Sequence, residues 1–595
     1  MAPERRQFGK YLLADVRDAV ERPGAVAGLV GSVLGAVLLV VGLAAAVLVG
    51  PSSTYSASRT LQPGGPAVVL TSGVVGAVGP EVTVTAHRLD DGSLFLGRAL
   101  SQDVTDLTGG SPSVVVRGVH ALHGLVTAKH AGTASLPTVQ GSDIWRDSSV
   151  GGGTRSLAWR PGAERQSVLI ASTDGTTLPA VKVTVSWHRS GWFPVAVLLV
   201  LLGLGLLVAG LHRLTGGGHL LRRSVRRVSR RMARIPVPAR RLGRRPDDAP
   251  VSDGPPVSDG TRVSGRGRIS GARALVGAGL VVALLSGCSA AGGLVGVHPS
   301  GGSTAAGPAL EPQQARSIVG RILTVANQAD AVRSSSTAGQ AYDGLALQMM
   351  TAAYGVDTAQ GTTVPRRPTS SERPMVLLTR GTAYPRFFFT VLPGNHTQPP
   401  LVSLLTTKDA SSQYRIAGSV SLLPSARIPA VAEVTQGSTV LPADTHGLAL
   451  SPGAVATAYA AVLNGGSSVP EAGHFRADSF LSQVQQAASA QRATVARFGS
   501  YTQSHQPVPG GTLAIRTSDG GALVFTTLLR TSTFTARAGN VATLPPDVRV
   551  LTGEVQASSF SSTAAEMLLF SVPPAGKGKV ALVGASDGLI SATAH

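Results

Sequence analysis

The sequence predicts a multidomain membrane protein: two transmembrane helices around an all-β, sandwich-like ectodomain, followed by tandem α+β domains. Three features of the 595 residues lead there: long uncharged apolar runs, an arginine-dense stretch after the second run, and a later shift from strand-only patterning to helices followed by strands. Hydrophobic residues make up 43% of the chain and charged residues 14%, with a net charge of +20. The single Cys excludes a disulfide framework and any cluster built on cysteine ligands.

Residues 1–24 precede Ala25 to Gly50, a run of 26 residues without charge or proline. That exceeds the ~20 residues a helix needs to cross a bilayer. Gly191 to Leu211 is the second run, with Trp187, Trp192 and Phe193 at the end where aromatic rings favour the interface. Residues 212–273 hold sixteen Arg against four Asp, a net +12. By the positive-inside rule this loop and residues 1–24 are cytoplasmic, and 51–190 lies outside. The expected location is a bacterial plasma membrane with the main folded regions extracytoplasmic.

Within the loop, residues 219–235 read as an amphipathic basic helix. Arg222, Arg226, Arg230 and Arg234 recur at every fourth position, as do Arg223, Arg227 and Arg231. Seven arginines at ~1 kcal/mol each favour the anionic lipids of the inner leaflet. No aromatic platform accompanies them, so nucleic acid is not the expected partner. Pro, Gly and the repeated Val-Ser-Asp-Gly at 251 and 257 make the remainder of the loop a linker.

Ala274 to Gly287 is an apolar segment of 14 residues, short for a span and suited to a signal. It follows Arg262, Arg266, Arg268 and Arg273 and ends in Leu285-Ser286-Gly287-Cys288. This order resembles a bacterial lipoprotein signal, which implies lipidation of Cys288 after cleavage before it. The competing reading is an uncleaved third helix running to Val297. Under either, 274–288 returns the chain to the outside and 289–308 is a tether.

Residues 51–190 carry about seven β-like runs, at Ala67 to Leu70, Glu81 to Leu89, Leu94 to Ala99, Ser113 to His120, Arg155 to Trp159, Ser167 to Ser172 and Val181 to Trp187. Their number and the period-two alternation of EVTVTA and VKVTV point to a β-sandwich. With LFLGRALSQDVTDL and LAWRPGAERQSVLIASTDGT, this half is similar to an uncharacterised family of two-pass membrane proteins of high-GC Gram-positive bacteria. The resemblance implies topology and location, not an activity.

The C-terminal half reads as a duplication, 309–440 and 448–595. Ala309-Leu310-Glu311-Pro312 recurs as Ala449-Leu450-Ser451-Pro452, each opening a helix at its proline, with Ser451 the better expected cap. Helices near Gln313 to Ala329 and Ala338 to Tyr354 precede strands at Met375 to Arg380, Arg386 to Leu392, Leu401 to Thr406 and Tyr414 to Leu422. In the second copy, helices near Ala454 to Leu463 and Asp478 to Phe498 precede strands at Thr512 to Thr517, Ala522 to Arg530, Val548 to Ala557, Ala564 to Val572 and Val580 to Gly584. This order resembles tandem NTF2-like or cystatin-like domains, and the whole half is similar to uncharacterised actinobacterial lipoproteins.

Catalytic patterns are nearly absent. Gly584-Ala585-Ser586-Asp587-Gly588 matches a nucleophile elbow, but only seven residues follow, so Ser586 to Gly588 is expected as a turn. His120, His123 and His130 lack partners that would complete a metal set. No cofactor, metal or catalytic residue is assigned. In the first apolar run, Gly28, Gly31, Gly35 and Gly42 form a small-residue stripe that permits close helix contact, with the second helix or with another copy. The expected role is non-enzymatic: a membrane-anchored cell-envelope scaffold, with an envelope protein partner or self-association. The alternative is a binding module holding a lipid or apolar small ligand in NTF2-like concavities.

Overall fold

The computed structural model describes residues 25–77, 79–120, 124–162, 164–214, 307–362, 374–395 and 398–595. The basic arginines from Arg222 to Arg234, together with Cys288 and His123, lie outside them. The described residues fall into two compact units.

The first unit contains helices α1 (Ala25–Val49) and α4 (Trp192–Leu214), both long and apolar enough to cross a membrane. They pack antiparallel: Gly28 lies against Gly210, Gly35 against Gly203 and Leu207, and Gly42 against Ala196 and Val200. Large apolar side chains such as Leu29, Val33, Leu198 and Leu202 face outward. That arrangement is wrong for water and right for hydrocarbon.

The second unit begins with the β-rich region. Its outer sheet has the order β1-β10-β3-β8, formed by Thr54–Leu61, Val181–His188, Glu81–Arg88 and Thr154–Trp159. Alternate residues Val82, Val84 and Ala86 of β3 are buried, as period two requires of a half-buried strand. The inner sheet has the order β6-β5-β2-β9-β4-β7, formed by Gly124–His130, Ser113–His120, Ala67–Leu70, Gln166–Ser172, Ser93–Leu100 and Asp147–Gly152. Both faces of β2 and β9 are buried, and β2 pairs with β5 in parallel. Helices α2 (Ser72–Val75) and α3 (Ser101–Thr108) pack beside it. Ten strands thus replace the seven expected. β1, β6 and β7 were missed because TYSASRTL, GLVTAKH and DSSVGG present little apolar alternation.

In the C-terminal half, α5 (Pro312–Val332), α6 (Ser335–Ala341) and α7 (Gly344–Gln360) precede β11 (Met375–Leu377), β12 (Arg386–Leu392), β13 (Leu401–Thr407) and β14 (Arg415–Leu422). Then come α8 (Pro452–Gly465), α9 (Ser479–Val495), β15 (Gly499–Pro507), β16 (Leu513–Arg516), β17 (Ala522–Ala536), β18 (Ala542–Thr543), α10 (Pro546–Thr552), β19 (Gln556–Ala557), β20 (Ser559–Val572) and β21 (Ala581–Ala594). The helix expected from Ala338 to Tyr354 is two helices, broken at Tyr342, with Asp343 capping the second. The first half of the strand expected from Val548 to Ala557 is instead the end of α10, and only Gln556–Ala557 is strand, as β19. Pro546 starts that helix, Asp547 sits in its first turn, and Gly553 closes it at φ +76°.

The ALxP echo occupies equivalent places. Ala309 N–H donates to Thr379 O and Ala449 N–H to Pro573 O, so each copy enters its helix from a strand end. The capping expectation is reversed: the Gln314 side chain accepts from Glu311 N–H at 3.3 Å, whereas the Ser451 side chain makes no cap bond. Both copies' strands join one sheet, β11-β12-β13-β14-β21-β20-β17-β15, with β16 on β17. One core is shared as well: Phe387, Phe389 and Val420 pack with Phe525, Met567 and Leu569. On the other face, Tyr459, Phe475 and Phe570 form an aromatic cluster under α8, with ring centroids 5.0–6.0 Å apart.

Candidate functional site

The join between the two copies is thin. β17 and β20 share fourteen residue pairs, but β14 and β21 share only Ser421↔Ala585 and Leu422↔Gly584. Away from these pairs the strands separate, and Ser421 N–H donates to the Ser586 hydroxyl at 3.1 Å. Ser586, Asp587 and Gly588 therefore sit inside β21, opposite Met567, Glu566 and Ala565, and are not the turn expected from their sequence.

A cavity of about 440 Å³ opens where the strands part, under α5 and α7. Its apolar wall comes from Leu323 and Ala326 of α5, Met349, Met350, Ala353 and Val356 of α7, and Leu392, Leu401 and Ile416 of the sheet. Polar groups enter from Ser403, Ser419, Ser421 and Ser586 on the strands and from Asp330, Asp547 and Asp587. The Ser403 and Ser419 hydroxyls, paired across β13 and β14, bond each other at 2.8 Å. Burial, then the nearby Asp330 charge, pushes the Tyr342 phenol up to about 12, so it lines the site as a neutral donor. Gly588 shapes the wall: a Cβ there would fall 2.6 Å from the Met349 methyl, so any larger residue would make this flexible side chain move aside.

Behind the cavity lies a hydrogen-bonded relay across β15, β17, β20 and β21. Glu566 is fully buried and accepts from or donates to His505 Nδ1 at 2.8 Å, with Arg530 Nε at 3.5 Å. Arg530 also donates to Asp587 at 2.7 Å, which brings the relay to the cavity lining. Gln503 holds the other His505 nitrogen at 3.0 Å. Of these residues the sequence reading named Asp587 alone, and as part of a turn, because strand-borne Glu and His carry no local motif.

The sequence-selected glycines come together in the first unit. A Cβ on Gly35 would meet the Leu207 amide and, at 2.7 Å, the Gly203 carbonyl; on Gly42 it would lie 2.8 Å from Val200 N. Gly28 is less tight at 3.1 Å from Gly210 O, and Gly31 has room, at 3.7 Å. Gly203 and Gly210 supply the reciprocal close contacts from α4 and were not singled out from the sequence. His120 and His130 end paired strands, and among the described residues no group of three or more His, Cys, Asp or Glu is placed to hold a metal ion.

No curated protein and no solved structure matches the chain. Residues 306–594 match a family described as Domain of unknown function (DUF8094), and that single match runs across both ALxP copies as the continuous sheet does.

Proposed function

We propose that the protein is a membrane-anchored, extracytoplasmic binding module whose cavity between α5, α7 and the β14–β21 join holds a small amphipathic ligand. The cavity carries this reading. Its volume lies within the ~300–1,000 Å³ of small-molecule sites, and its apolar wall with a few convergent polar groups is the composition such sites have. Met349 and Met350 make the wall adaptable to an irregular apolar body. The serine hydroxyls and acidic groups suit a neutral or cationic polar end. Binding is favoured over catalysis because the Ser586 hydroxyl is engaged by Ser421 N–H, and the described lining residues include no His or Cys.

Sidedness rests on the arginine-rich residues 212–273, which favour the cytoplasm and leave the regions before α4 and after the 274–288 segment outside. The lipoprotein-like ending at Cys288 fits the same placement.

The test is saturable binding of a dansylated fatty amine and a dansylated fatty alcohol to the full chain in nanodiscs, with Ala353→Trp as the filled-cavity variant. Stoichiometric binding lost in Ala353→Trp, at unchanged melting temperature, is expected. Equal signals from both proteins, or none above empty nanodiscs, would overturn the cavity reading.

A further inference from the structure

The β-rich region and the C-terminal sheet meet at one end of the sheet, through the β11–β12 and β13–β14 turns and the start of α5. Three sets of contacts define the seam. Arg386, which opens β12, forms an ion pair with Asp103 of α3; both side chains are at most 3% exposed. The Tyr384 hydroxyl donates to the same carboxylate at 3.1 Å, and the guanidinium lies 4.0 Å over the Tyr384 ring. Asp143 accepts from Arg321 at 2.6 Å and from Tyr414 N–H at 2.7 Å, while its carbonyl accepts from the Gln314 amide at 2.7 Å. The Ser142 hydroxyl donates to Ala410 O, and Arg146 pairs with Glu311 at 2.8 Å. Ala410 and Tyr384 pack into the apolar cluster of Val104, Leu107, Val139 and Ile144.

Desolvated ion pairs of this kind add little net stability, but they reject wrong partners strongly, because each charge is costly to bury alone. Burial raises the Asp103 and Asp143 carboxyls above their usual range although an arginine opposes the shift in each case. Desolvation thus outweighs pairing, as in a tightly closed interface. Nothing in the set needs the 92 residues between 214 and 307: every contact joins groups within 98–146 to groups within 311–414.

We infer that this seam is a self-sufficient docking surface, by which residues 307–595 recognise residues 56–187 without a covalent link. Two consequences follow. Cleavage before Cys288 would leave a two-helix membrane protein and a lipid-anchored partner still bound to each other. With α4 crossing the bilayer, docking also demands that the chain return across it between 215 and 306, as the signal-like segment 274–288 would provide.

The experiment inserts a protease site between Pro250 and Val251 of the full chain, cuts the protein purified in detergent, and captures it by an N-terminal tag. Retention of the C-terminal fragment through extended washing is expected. Arg386→Glu and Asp103→Lys, one in each fragment, should each weaken retention ~100-fold, and the double charge swap should recover most of it. Since either single variant could fail by misfolding, recovery in the swap separates recognition from collapse. Wild-type fragments that part on cutting, or singles that stay bound as the wild type does, would overturn the inference. So would a swap no better than its singles.

Discussion

Replacing Glu566 by Leu removes a carboxylate with no solvent exposure from between His505 and Arg530. The new side chain keeps most of the volume, so the effect is mainly electrostatic. Arg530 retains Asp587 at 2.7 Å near the surface, but His505 loses its Nδ1 partner while 1% exposed. Leaving one member of a buried pair alone costs about 3–5 kcal/mol. His505→Leu strands Glu566 in turn, with only the longer 3.5 Å contact to Arg530, and should cost a similar amount. The double variant leaves neither side chain without its partner and places one leucine opposite Leu528. Its cost should be well below the sum of the singles, giving a coupling of at least ~2 kcal/mol in a double-mutant cycle. Urea-unfolding midpoints of the four proteins in one detergent measure it. Additive costs would show that His505 and Glu566 do not act as a pair, and the relay behind the cavity would lose its basis.

Gly35→Leu should separate α1 and α4, while Gly31→Leu should be milder, because a Cβ collides with the opposing backbone at Gly35 and stays 3.7 Å from it at Gly31. Distances between spin labels at the outward-facing Val47 and Val195 positions would read the difference. The Thr517 hydroxyl and then the Gly521 N–H hold the Asp519 carboxyl below its ordinary 3.8. This depressed value contributes stability above pH ~4 that is lost as pH falls through it, so Asp519→Asn should lower the melting temperature at neutral pH, flatten the acid limb of its profile and converge on the wild type at low pH. Converting Arg222, Arg223, Arg226, Arg227, Arg230, Arg231 and Arg234 to Gln should abolish the preference of a 219–235 peptide for vesicles containing anionic lipid, with little change on neutral ones. Mass spectrometry of the membrane fraction should find a diacylated peptide beginning at Cys288, absent from Cys288→Ser.

Much of the fold was legible where one physical signal dominated. β2, β5 and β12 match their expected ranges because apolar runs between turn residues leave few alternatives. The close packing of Gly35 and Gly42 was readable in outline, since small residues on one face of an apolar helix have few other uses. Edge strands such as β7 and β15 were not, because DSSVGG and GSYTQSHQP gain their pairing from neighbours, not from propensity. α10 was read as strand because Val548, Val550 and Leu551 weigh toward β unless Pro546 and Gly553 are given their capping meaning. The apolar walls of the cavity lay inside correctly placed elements, but their convergence depends on β14 meeting β21. Pairing between residues 162 and 164 positions apart leaves no mark on local sequence. Asp103 was equally silent: in SQDVTDLT it reads as a solvated helix residue until Arg386 arrives from 283 positions away.

The two-pair join of β14 and β21 makes that line the weakest rung of an otherwise fully laddered sheet. Opening it needs few backbone bonds broken, so the sheet can yield there like a book along its spine, widening the chamber beneath while both covers stay flat. The amide hydrogen of Leu423, which donates to Val583 O beside those pairs, should then exchange faster than those of Val524 or Leu568 deep in the adjoining strands, and an occupant that grips both covers should slow it.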